Sequence, residues 1–146
     1  MRLAVGYPSS DQEKQLLPHL QREHPITALQ PVTDQAQLLI FEKQVWDIHV
    51  DETLQSYIVA LVTATRTHGD VALGASPRAT LALFKTAQAL AALRGRDHVL
   101  PDDVKYLAPA TLAHRLIVKP EAELRGQTAL KIVGDILERT PLGLEA

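Results

Sequence analysis

A mainly α-helical fold is the class this sequence predicts, on three observations. Alanine and leucine dominate a hydrophobic content of 46%, while aromatic residues make up only 4%, a balance that favours packed helices over a β-sandwich. Apolar residues recur at three- and four-residue spacing along several stretches. Those stretches begin at Ser, Thr, Asp or Pro and stop at Gly or Pro, the residues that start and end helices. A chain of 146 residues is enough for one well-cored domain, or for a small domain with an appended segment.

Arg2 to Val5 is a short extended run stopped by Gly6-Tyr7-Pro8, with no partner strand in sight, as if it were the edge of a sheet that lies elsewhere. Ser9 or Ser10 caps an amphipathic helix over Asp11 to Glu23 with Leu16, Leu17 and Leu20 on one side, interrupted at Pro18. Pro25 and Pro31 bracket a linker, and Thr33 or Asp34 caps a helix to about Lys43. Val45 to Val50 alternates apolar and polar and predicts a short strand. Asp51 caps the next helix, in which Leu54, Tyr57, Ile58, Leu61, Val62 and Thr65 share one face and Arg66 lies in the last turn, where a cation suits the helix dipole.

Thr67 to Ala75 is a loop. The helix from Pro77 to about Arg94 is expected to bury Leu81, Phe84, Ala87 and Ala91, flanked by Leu83 and Leu90, and to end at Gly95. Pro101-Asp102-Asp103-Val104 opens another, with Val104, Leu107, Ala108 and Leu112 inward and two carboxylates in its first turn. His114 to Val118 turns extended and stops at Lys119-Pro120; its predicted partner is Val45 to Val50, forming a two-stranded antiparallel ribbon. A last helix from about Gly126 to Arg139 uses Leu130, Val133 and Leu137 with Ile132 and Ile136 alongside, and Pro141 closes it.

The stretch that carries chemistry is Gly74-Ala75-Ser76-Pro77-Arg78-Ala79. Ser76 is placed as an N-cap whose hydroxyl takes a free N–H, Pro77 as the first helical residue, and Arg78 in the first turn. A cation there is repelled by the dipole by about 0.3–1 kcal/mol when exposed, unless an anion is shared between the guanidinium and the amides. Two readings follow, a phosphate-sensing arginine and a plain surface arginine, and these six residues alone favour the plain one.

Other chemistry is sparse. Fifteen Lys+Arg against seventeen Asp+Glu give a net charge of −2, so the chain has no general attraction to nucleic acid or an anionic membrane. Without cysteine there is no disulfide or thiolate chemistry, and the six histidines show no metal-binding spacing, so no metal site is expected. No apolar run reaches the 18 residues of a membrane span, which makes the cytoplasm the default compartment. Asp102 and Asp103 suit the helix dipole better than a metal, Trp46 suits a half-buried core position beside a strand, and His114-Arg115 suits packing and hydrogen bonding.

Gly6-Tyr7-Pro8-Ser9, Tyr57-Ile58-Val59, Thr65-Arg66, Leu73 to Ala79, Gly95-Arg96-Asp97, Val99 with Pro101-Asp102-Asp103-Val104, and His114-Arg115 follow one another in the order and spacing of MoxR-type AAA+ ATPases. The resemblance runs from Gly6 to about Pro141; His98 departs from it, standing where the family pattern has a tyrosine. It implies the C-terminal part of such an ATPase: residues 1–24 as the tail of the α/β core, 25–50 as linker, helix and strand, and 51–146 as the helical lid. It implies ATP and magnesium in the intact protein, and a second-sensor role for Arg78 with Ser76, Pro77 and Arg66 in support. Implied partners are the protein's own core, neighbouring subunits of a ring, expected to be a hexamer, and von Willebrand factor A domain proteins. The chain has no GxxxxGK[ST] sequence, so hydrolysis by this chain alone is not expected.

Two other classes compete with this one. A free-standing helical interaction module gains from the absent catalytic motifs and loses from the orphaned Arg2 to Val5 run. A DNA-binding helix-turn-helix around Gly95 to Pro101 would set Asp102 and Asp103 against phosphates, and like charges oppose it.

Overall fold

The computed structural model describes residues 1–20 and 24–143, and divides into two compact units. The smaller, Leu3–Phe41, starts with chain that forms no strand, followed by α1 (Ser10–Leu20). Helix α1 runs through Pro18 rather than stopping there, and the predicted continuation over residues 21–23 lies outside the described residues. Between the two prolines Pro25–Ala28 winds into a 3₁₀ turn, its entrance closed by the Ile26 N–H donating to His24 Nδ1 (3.2 Å). Asp34 caps α2 (Gln35–Trp46) by accepting from the Gln37 N–H at 2.8 Å. None of the twelve residues of α2 is buried.

The larger unit comprises Met1–Arg2 and Glu42–Ala146. Its core is built by α3 (Glu52–Thr67), α4 (Pro77–Leu93), α5 (Pro101–Leu112) and α7 (Ala129–Arg139), with α4 lying between α3 and α5. Helix α3 starts at Asp51, whose carboxylate accepts from the Thr53 N–H (2.8 Å), and all six predicted core positions from Leu54 to Thr65 are buried. On α5, Val104, Leu107, Ala108 and Leu112 face inward as their spacing predicts.

A two-stranded antiparallel ribbon is present, but its strands are β1 (Val71–Leu73) and β2 (Ile117–Val118), with Val71 opposite Val118 and Leu73 opposite Ile117. The predicted Val45–Val50 strand does not form. Helix α2 continues to Trp46, a turn follows, and only His49 makes a single parallel bridge, its N–H donating to Asp97 O and its C=O accepting from Val99 N–H. Six alternating residues fit a helix end plus a turn as well as a strand; the turn is held by Gln88, buried on α4, whose Nε2 donates to Ile48 O at 2.8 Å. Trp46 is accordingly 57% exposed, not half-buried against a strand, with the Lys85 ammonium 5.9 Å from its ring. His98 is the bridge partner of His49, and its ring sits on Asp97 at the surface.

Three further boundaries differ. His114 and Arg115 belong to a 3₁₀ turn (Ala113–Arg115) ahead of β2, where Arg115 Nε donates to Thr111 O. Pro120 starts a short helix α6 (Pro120–Leu124) instead of ending the segment, since proline is well placed at a first helical position. Helix α7 begins at Ala129, capped by Thr128, and buries Ile132, Val133 and Ile136 while leaving Leu130 61% exposed.

On α4 the buried face is Ala79, Leu83, Ala87, Gln88 and Ala91; Leu81 is 65% exposed and Phe84 only partly buried. The face is turned from the predicted one because alanines at 79, 87 and 91 let α3 and α5 approach closely, with Leu83 and Gln88 as the larger side chains of that face.

Asp103 is the feature the sequence pattern did not disclose. It is not a solvated first-turn carboxylate: its side chain is 1% exposed and takes two bonds from Arg96 (2.7 and 2.8 Å), one from Arg94 (2.8 Å) and one from the Leu100 N–H (2.9 Å). Burial by itself pushes its carboxyl up, and the bonds to Arg96 and Leu100 with the charges of Arg96 and Arg94 outweigh that and hold it below the ordinary 3.8.

Leu83→Ala should cost about 2–5 kcal/mol in denaturant unfolding, whereas Leu81→Ala should stay within about 0.5 kcal/mol; equal losses would place the core on the wrong face of α4. Asp103→Ala should cost about 3 kcal/mol, the low end for a broken buried pair because both arginines keep some access to water. Since the folded carboxyl titrates below its unfolded value, the stability it contributes is complete above pH 3.8 and fades as pH falls through the folded pKa. Asp103→Asn should therefore flatten the acid limb of a stability-versus-pH curve, and an unaltered limb would assign acid unfolding to other carboxylates.

Candidate functional site

At the start of α4 a charged group, Arg78, is presented without a partner among the described residues. Proline at the first helical position fixes φ and needs no N–H acceptor, so the helix begins directly behind Ser76. Ser76 is the N-cap, in extended conformation, but its hydroxyl makes no cap bond; the turn is closed instead by the Ala79 N–H donating to Ser76 O at 2.8 Å. Serine at this place thus keeps its Oγ available, contrary to the capping bond its position predicts.

Arg78 follows in the first turn, exposed, and its guanidinium forms no hydrogen bond or ion pair among the described residues. No acidic residue occupies that turn. A positive group at the positive end of a seventeen-residue helix is in an unfavourable field, and the same field combined with the guanidinium favours an anion.

The chain reaches Ser76 along a fixed path. Thr65 and Arg66, in the last turn of α3, both bind the backbone of Ala75: the Ala75 N–H donates to Thr65 Oγ1 (3.0 Å), and Arg66 Nε donates to Ala75 O (2.8 Å). Arg66 is thereby occupied at Nε by the loop that delivers the cap, a role its place at a helix C-terminus does not by itself indicate. Gly74 lies flat on this turn: a Cβ there would stand 2.6 Å from Arg66 Cα and 2.8 Å from its N. Glycine is required by close approach, not by its backbone angle.

The residues present do not fit a magnesium ion. Among the described residues no group of three or more His, Asp or Glu is arranged to hold a metal. A phosphoryl oxygen is a different matter, because an unpaired guanidinium at a helix start, beside a free serine hydroxyl, offers donors of the right kind. Nor does any described helix have the length and apolarity to cross a membrane.

Comparison with known proteins agrees with this architecture. The AAA lid domain family matches residues 63–136, a segment that runs from within α3 to the buried Ile136 of α7. The uncharacterized protein YeaC of Bacillus subtilis is 43% identical over 136 residues, covering 93% of this chain and 42% of that protein. The chaperone MoxR1 of Mycobacterium tuberculosis is 33% identical over 130 residues, 83% of this chain and 34% of its own length. Among solved structures, a candidate ATPase from Cytophaga hutchinsonii superposes with a TM-score of 0.86 at 28% identity, over 97% of this chain and 46% of that one. This chain thus spans less than half the length of each of these relatives. Its helical bundle, its matched segment and its MoxR relatives agree: the chain belongs to the AAA lid domain family and is similar to a part of MoxR proteins.

Proposed function

We propose that this chain is the lid of an ATP-driven, chaperone-like remodelling machine, and that Arg78 is its second sensor. The observation that carries the reading is the exposed, unpaired guanidinium in the first turn of α4. Arg78 pairs with the terminal phosphate of a nucleotide bound by an α/β core and loses that partner once the phosphate has left. The lid then has different free energies before and after hydrolysis, and that difference turns it against the core. Because α4 is one of the central helices of the bundle, a pull at its first turn is a pull on the whole lid.

ATP and magnesium are held in this reading by the core, since this sequence has no GxxxxGK[ST] loop and, among the described residues, no group of His, Asp or Glu arranged to hold a metal. The same reading gives the machine a ring of subunits, hexameric as in the expectation above, and partner proteins with von Willebrand factor A domains. MoxR1 is named a chaperone, which supports remodelling or maturation of other proteins as the output. Ser76 and Pro77 set where Arg78 begins, and Arg66 holds the loop before them.

In the full-length ATPase that carries this lid, Arg78→Ala should lower ATP turnover about tenfold or more while changing folding stability by less than about 0.5 kcal/mol. Turnover and stability falling together would make the arginine structural. Normal turnover would remove the sensor reading and leave the lid as an interaction module.

A further inference from the structure

An exposed arginine can report on a phosphate only if its own backbone does not yield, and the means of holding it lies outside the helix that bears it. Ala75, three residues before Arg78, is 1% exposed and has both backbone polar groups bound by the last turn of α3. The Thr65 hydroxyl that accepts from the Ala75 N–H is itself oriented, because it donates to Val62 O at 2.6 Å, and Thr65 is fully buried. On the other side of Arg78, Ala79 is fully buried and its N–H is bonded to Ser76 O.

Between these two anchors stand only Ser76, Pro77 and Arg78, and the ring of Pro77 removes one of the few remaining torsions. Gly74 closes the arrangement from below, since any larger residue would push the loop off the Arg66 backbone, to which it lies at 2.6–2.8 Å as measured from an added Cβ. Thr65 lies eleven residues before the Ser76 cap and Gly74 two before it, and neither presents a charge of its own.

We propose that Thr65 and Gly74 are positioning residues for Arg78: the buried Thr65 hydroxyl and the bare Gly74 backbone clamp Ala75 onto the end of α3 and so fix where the guanidinium is presented. The inference rests on the sensor reading of Arg78 and adds to it the elements that make the sensor stiff. It also assigns α3 a part in the response, because a displaced Arg78 must carry the end of α3 with it.

The test has two parts. In the 146-residue chain, hydrogen exchange at the Ala75 amide should accelerate about tenfold or more in Thr65→Val, which keeps the shape and loses the hydroxyl, and stay as in the wild type in Thr65→Ser, while amides of Leu83 to Leu90 remain protected. In the full-length ATPase, Thr65→Val and Gly74→Ala should each lower kcat about tenfold with little change in KM for ATP, Thr65→Ser should retain turnover, and Thr65→Val combined with Arg78→Ala should be no slower than Arg78→Ala alone. The proposal is overturned if Ala75 exchange is the same in Thr65→Val, if that variant turns over normally beside an impaired Arg78→Ala, or if the two substitutions multiply. Normal turnover in Arg78→Ala is a separate result: it removes the sensor reading itself, and the positioning role with it.

Discussion

A carboxylate cut off from water has to be neutralised where it stands, and the arrangement of this bundle follows from how Asp103 meets that demand. Its partners come from the end of α4 and the loop behind it, Arg94 and Arg96, and from the Leu100 N–H at its own helix start. The two helices cannot slide past one another without exposing an unpaired buried charge. Gly95, with φ 69°, lets the chain reverse between the two arginines so that both reach the same group. Helix α4 is therefore fixed at its C-terminal end by an ionic knot and at its N-terminal end by the Thr65–Ala75 bond, with Leu83 packed between.

That double fixation decides what kind of motion the lid can make. A helix held at one end pivots and loses any signal applied to the other. One held at both ends, through the middle of a core in which α3 and α5 flank it, moves only with its neighbours. An event at Arg78 is then delivered to the bundle as a whole rather than absorbed in a frayed first turn. The cost is low in charge: the knot uses two arginines, and Arg78 remains outside it.

Much of this was legible in the sequence where one residue type answers to one physical demand. The six core positions of α3, the inward positions of α5, the Asp51 cap, and Pro77 and Gly95 as the ends of α4 are all set by local periodicity or backbone geometry, and each appears where it is predicted. The first-turn position and exposure of Arg78 belong to the same class. What could not be read is what depends on long-range pairing. Val71–Leu73 is too short between two glycines to show a period, so periodicity points to the alternating Val45–Val50 as the partner of β2 instead of Val71–Leu73. The α4 face was misplaced because Leu81 and Leu83 are equivalent by hydropathy, and only the neighbours choose between them. Asp103 looked like its neighbour Asp102 for the same reason, although two arginines seven and nine residues earlier offered a signal for a buried ion pair.

The same contrast separates Ser76 from Thr65. A serine before Pro77 is the residue expected to cap, yet its hydroxyl is left unused by the helix, whereas a threonine eleven residues earlier, placed only as one more core position of α3, holds the backbone on which the cap is built. If the helix start needed only closure, the Ser76 hydroxyl would be spent on an amide and the loop could be loosely tied. Instead the amides of the first turn are left without a side-chain acceptor, the loop is bound from behind by α3, and the cation stands among them unpaired. In the sensor reading proposed above, the Ser76 hydroxyl and the Arg78 guanidinium are the donors an anion would meet, and the division of labour between α3 and α4 is what supports that reading.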